Sequence, residues 1–157
     1  MLDVTQQLIT KTPVEFSEEN RYLPASVTSM PGPMSFKSFP YWVEVLNNFD
    51  VDSPIREVNL RKGVQVGSTT LLESVLLYCM FHVKTAPCMF MTADRELAMG
   101  RIESSIVPMV NQSGFRDQIR SSDTGNTRKT GWTNAQIQWV GDGYLVPFGA
   151  NNADKMR

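Results

Sequence analysis

A chain of 157 residues with 41% hydrophobic and 20% charged side chains has the make-up of one globular domain, or part of one. No apolar run is long enough to span a bilayer, and the start MLDVTQQLITK lacks the basic end and apolar centre of a signal peptide, so the chain reads as cytoplasmic. The net charge of −1 hides an asymmetry: residues 1–60 hold 4 basic and 8 acidic side chains, residues 61–157 hold 11 and 8, which permits a polyanion partner in the second part without requiring one.

Residues 1–35 carry scattered polar side chains and end in SMPGPMS, where Pro31 and Pro33 around Gly32 break any regular element. This stretch reads as an arm and loop. In FPYWVEVLNNF, Pro40 suits the first turn of a helix, and Trp42, Val43, Leu46 and Phe49 recur at helical spacing. IREVNLRK, residues 55–62, alternates between turn signals and reads as a short strand. A glycine-containing loop follows it directly. TTLLESVLLYCMFHV is then too long for a strand, free of Gly and Pro, and apolar on almost every side, which predicts a buried helix.

PCMFMTA is a short continuous apolar run, the mark of a strand covered on both faces. Asp94 can cap the next helix, RELAMGRIESSIVPMV, and Pro108 kinks or tightens its end. Cys79 and Cys88 lie in apolar stretches without ligand-spaced neighbours and read as buried, reduced thiols. His82, the single histidine, has no serine or carboxylate pattern around it and reads as structural. Residues 114–131 are polar and basic, after which AQIQWV and YLVPFG flank GDG as a hairpin. Strand, loop, buried helix, strand and helix in that order predict an α/β fold with a βαβ unit and a parallel sheet.

The loop carries the chemistry. LRKGVQVGSTT, residues 60–70, looks like a phosphate loop, with Gly63 and Gly67 letting the backbone approach an anion, but Ser68 stands where that pattern places its lysine. A strand before it and a buried helix after it are the setting in which such a loop binds phosphate, because the helix N-terminus offers free N–H groups and a partial positive charge. Lys62, at the foot of the loop, is a flexible point charge and needs only reach. Thr69 follows Gly67 by two positions, where a hydroxyl meets Mg²⁺. A tight strand-to-helix turn with surface Arg61 and Lys62 is the alternative that the loop by itself leaves open.

The longer stretch IREVNLRKGVQVGSTTLLESVLLY resembles the ATPase motor of the large terminase subunit of tailed bacteriophages, the lambda-like family, whose REVxxxKSAxVG segment has its phosphate lysine at the front. FPYWVEVLNNF is similar to the family's upstream helix, which lies near the adenine; Tyr41 matches its aromatic, and Trp42 replaces its glutamine. MFMTADRELAMGRIESSIVPMV, DTGNTRKTGW and YLVPFGANNADKMR resemble later segments in the same order. The resemblance covers residues 36–157 and implies a P-loop NTPase-like three-layer sandwich with a parallel central sheet, of which this chain holds an incomplete, N-terminal part.

By that resemblance Lys62 is the catalytic phosphate lysine, and Gly63, Val64, Gln65, Val66, Gly67, Ser68 and Thr69 form the ATP phosphate cradle. Thr69 is also the Mg²⁺ ligand, Tyr41 contacts adenine, and Arg157 is a candidate for stabilising charge at the γ-phosphate. Arg116, Arg120, Arg128 and Lys129 are the candidate contacts to double-stranded DNA, holding phosphates without reading sequence. The implied setting is the host cytoplasm, with a small terminase subunit, a capsid portal and further copies of the chain as partners. The family's acidic pair and its nuclease domain are expected beyond Arg157, and this chain alone is expected not to turn over ATP. Two other readings are a helicase-like ATPase outside packaging and a non-catalytic nucleotide-binding assembly module.

Overall fold

A computed structural model describes residues 11–25, 28–119 and 137–151. The first helix, α1 (Pro13–Asn20), starts on a reciprocal cap: Glu15 N–H donates to the Thr12 hydroxyl at 3.3 Å, and Thr12 N–H donates to the Glu15 carboxylate at 2.9 Å. Its Phe16 is buried, edge-on to Tyr78 at 5.9 Å and stacked on Phe115 at 5.9 Å. The arm expected over residues 1–35 is therefore corrected for residues 13–20, which form a helix packed on the core through Phe16. Two-residue strands β1 (Tyr22–Leu23) and β2 (Gly32–Pro33) then pair antiparallel. A single 3₁₀ turn, Phe36–Ser38, leads to α2 (Tyr41–Asn47), with Pro40 at its N-cap.

The buried helix forms as its composition predicts. It is α3 (Ser68–Tyr78), continued by a π turn over Cys79–Val83 and stopped at Lys84, where φ is 65°. It divides the apolar interior. On one side Leu77, Tyr78, Met80 and Phe81 join Ile102, Ile106, Val110, Ile137, Trp139 and Leu145; on the other Leu71 packs with Met34, Phe36, Trp42 and Leu46. His82 lies against Phe16 and Tyr78, ring centroids 5.1 and 5.2 Å away, in the packing role its surroundings predict. Burial holds its pKa below the usual histidine value.

One three-stranded sheet has the order β3-β5-β4. β3 (Pro87–Thr92) runs parallel to β5 (Tyr144–Gly149) from Pro87 opposite Tyr144 to Thr92 opposite Gly149. β4 (Ile137–Gln138) pairs antiparallel with β5, giving the hairpin around GDG; Gly141 and Asp142 take φ of 110° and 67° there. The crossover from β3 to β5 contains α4 (Arg95–Arg101), a π turn (Ile102–Ile106) and α5 (Val107–Gln112). Asp94 caps α4 by accepting from Leu97 N–H at 2.8 Å. Pro108, which lacks an N–H, sits in the first turn of α5, where the helix restarts after its π turn.

Four expectations change. Residues 55–62 form no strand: Ile55 is 47% exposed, and no described strand pairs with this segment. Alternating residues favour an extended backbone, but a strand also needs a neighbour to close its hydrogen bonds. The βαβ unit expected around the loop is thus absent among the described residues, and the parallel pair is β3 with β5. β3 is covered on one face only, since Met89 and Met91 alternate outward beside a 420 Å³ groove shared with Leu72 and Val75 of α3. Cys79 and Cys88 are free but half-buried and adjacent across that groove, and the hydrogen bond between them pulls the Cys79 pKa down and pushes that of Cys88 up.

Candidate functional site

The loop between Arg61 and Ser68 projects from the surface, with Val64 88% exposed. Gln65 and Gly67 adopt left-handed φ of 55° and 77°. Gly67 is the residue before α3, and its conformation turns the chain sharply into the helix. The first intrahelical bond runs from Leu71 N–H to the Gly67 carbonyl at 3.0 Å, so the N–H groups of Ser68, Thr69 and Thr70 lie ahead of the helix's own ladder. A Cβ at Gly63 would meet only the Val66 side chain, at 3.8 Å, so a ligand can approach that backbone closely. Lys62 is exposed, its Nζ donating to the carbonyl of the neighbouring Gly63 at 3.4 Å.

Trp42 is the loop's support. Its ring is buried under Gly67, and its Nε1–H donates to the Val66 carbonyl at 2.8 Å. The indole donor, out of place where a glutamine would both donate and accept, is spent on the loop backbone. Trp42→Phe should leave that carbonyl without its partner and destabilise the protein by about 1–3 kcal/mol, read from chemical denaturation. An unchanged midpoint would mean that the bond carries nothing. Tyr41 is exposed beside it, ring centroids 5.2 Å apart, and edge-on to Phe39 at 6.2 Å.

Two cavities of 180 Å³ flank the loop's helix. One is largely apolar and lies between Met34, Phe36, Phe39, Trp42, Gly67 and Leu71. The other is more polar and brings Thr69 and Thr70 together with Arg21, Glu73, Arg101 and Ser105.

Residues 28–157 match the family model described as phage terminase large subunit gpA, ATPase domain. The chain belongs to this family. Neither a curated protein nor a solved structure matches it. This terminase chain is thus the ATPase part of a phage DNA-packaging enzyme, which implies use of a nucleotide and work on DNA. None of its described helices is long and apolar enough to cross a membrane.

In the terminase chain Lys62 and Thr69 stand at the two ends of the loop, Thr69 on the polar cavity, and Tyr41 packs beside Trp42, which bonds to the loop. Arg116 does not join them: it sits in a 3₁₀ turn, Arg116–Gln118, after α5. Arg120, Arg128, Lys129 and Arg157 lie outside the described residues. Sequence reasoning missed the second cavity's polar cluster altogether. Arg21, 3% exposed, makes an ion pair with Glu73 through Nη2 and Oε2 at 2.6 Å. Its Nη1 donates to the Thr70 carbonyl and the Ser74 hydroxyl, and Ser105 Oγ donates to the other Glu73 oxygen. Burial pulls the Arg21 pKa below the usual arginine value, while Glu73 works the other way. No local spacing could have revealed a pair separated by 52 residues.

Proposed function

We propose that residues 62–69 are the phosphate loop of this packaging ATPase. Lys62 supplies the charge at the β- and γ-phosphates, the N–H groups from Gly63 to Ser68 cradle them, and α3 points its positive end at the anion. The apolar cavity between Phe39 and Trp42 takes the adenine, and exposed Tyr41, packed against both of those rings, offers a further stacking surface. The observation that carries this reading is Gly67 in the left-handed conformation directly ahead of the 11-residue α3, with the loop backbone before it exposed.

Magnesium fits the Thr69 position chemically. Among the described residues no group of three or more His, Cys, Asp or Glu could cage a metal. Mg²⁺ does not need one, since it keeps several waters and takes its other oxygens from phosphate and one or two side chains. When bound, the ion neutralises charge that develops on the transferring phosphoryl group. Glu73 is engaged by Arg21 and Ser105 and so is not free to activate water. That step belongs to the family's acidic pair.

The full reading places the chain within a P-loop NTPase-like three-layer sandwich, in a motor that moves double-stranded DNA through a portal with a small subunit and further copies of itself. Arg116, Arg120, Arg128 and Lys129 would hold DNA phosphates, Arg157 the γ-phosphate, and a separate nuclease domain would cut the DNA. The test is on Thr69. Thr69→Val keeps the side chain's shape and removes the metal-ligating oxygen, so ATP affinity should fall about tenfold with Mg²⁺ present and stay unchanged in EDTA. Equal weakening in both would exclude the hydroxyl as the metal ligand.

A further inference from the structure

We propose that Arg21 is a positioning residue for the phosphate loop: it holds the first turn of α3 and cancels the buried charge of Glu73 behind the anion site. Triphosphate binding then depends on the N-terminal helix α1. The proposal rests on the phosphate-loop reading above. Arg21 is the C-cap residue of α1 and precedes the stretch matched by the family model, which begins at residue 28.

The two charged side chains are 2% and 8% exposed. Such a pair is a weak route to stability, because desolvating both ions offsets their attraction and apolar residues of similar volume would serve as well. Its place in the fold suggests another use. Glu73 follows Gly67 by six residues, about 9 Å of helix rise. Across a low-dielectric interior an uncompensated carboxylate at that range repels phosphate, and the repulsion grows with the phosphate charge. Arg21 removes the repulsion, and the same guanidinium grips the Thr70 carbonyl in the turn whose N–H groups face the loop.

The backbone around Arg21 extends the grip to the other cavity. The Arg21 carbonyl accepts from Met34 N–H at 2.9 Å, and Glu18, on the same helix, accepts from Phe36 N–H at 2.8 Å. Met34 and Phe36 line the apolar cavity beside Trp42. One helix end therefore ties together the start of α3 and the wall of the proposed base site. A charge placed only for folding would leave nucleotide discrimination untouched. One placed to compensate Glu73 would not.

Calorimetric binding of ATP and of ADP to the whole chain separates these roles, with thermal melting to confirm folding. Arg21→Met should weaken ATP binding by about tenfold or more and ADP binding by less, and adding Glu73→Gln should bring ATP back to within about threefold of wild type. Equal losses for the two nucleotides, or no recovery in a folded double variant, overturn the proposal while the phosphate-loop reading stands. If Arg21→Met does not fold, Arg21→Gln decides, since it keeps an N–H donor and loses the charge. A larger loss of affinity for ATP than for ADP supports charge compensation, and an equal loss of both, or none, overturns it. A wild-type chain that binds no ATP overturns the phosphate-loop reading itself, and the role of Arg21 with it.

Discussion

Gly149→Ala is expected to destabilise the protein by about 3 kcal/mol, at the upper end of what overpacking costs. A Cβ on Gly149 would lie 2.3 Å from the Arg95 nitrogen and 2.7 Å from the Asp94 carbonyl carbon. Both are backbone atoms, so no rotamer change relieves the clash. Neither partner can retreat cheaply. Asp94 is held as the cap of α4 by Leu97 N–H, and the chain after Gly149 is tied to β3 by Ala150 N–H on the Thr92 carbonyl at 2.9 Å and Asn151 N–H on the Ala93 carbonyl at 3.1 Å. Moving either side breaks the cap or the end of the parallel ladder. Urea denaturation measures the loss, with Gly100→Ala as control: a Cβ there meets nothing within 4 Å, and the change favours α4 by helix propensity. If Gly149→Ala unfolds at the wild-type urea concentration, the register of β5 against β3 is wrong.

Lys62→Ala should weaken ATP binding by roughly ten- to a hundredfold, because a charge-assisted phosphate contact is worth about 1.5–3 kcal/mol and Ser68 supplies no charge in its place. The fold should not notice the change. Lys62 is exposed, and it makes a long hydrogen bond to the neighbouring Gly63 carbonyl, 3.4 Å. An unaltered melting temperature together with lost affinity would assign the effect to the ligand. Arg61→Ala, one residue earlier and also exposed, should cost far less, since Arg61 has no phosphate to hold in this reading. Equal ATP affinity in wild type and Lys62→Ala would remove the relocated lysine from the mechanism.

The features of this chain that are written locally can be read from its residues. α2 and α3 follow from apolar spacing and the absence of breakers over one or two turns, and the Asp94 cap and the GDG hairpin follow from residues within three or four positions of each other. The motif order that marks the terminase family is also linear, so it needs no folding to be seen. The capping box at Thr12 and Glu15 is equally local and marks the start of α1, although scattered polar residues and the breakers Pro31 and Pro33 make residues 1–35 read as an arm.

What the residues alone could not decide depends on partners far away in sequence. The pairing of β3 with β5 joins segments separated by more than fifty residues, and the same absence of a partner leaves 55–62 without a strand despite its alternation. Trp42 reaches Val66 across 24 residues and Arg21 reaches Glu73 across 52, so their roles as supports of the loop exist only once α1, α2 and α3 are packed together. Propensity and capping act between near neighbours and survive in an unfolded chain as tendencies. Ladder closure, desolvation of an ion pair and the placing of an indole beneath a loop are set by proximity in space, which only the tertiary structure supplies.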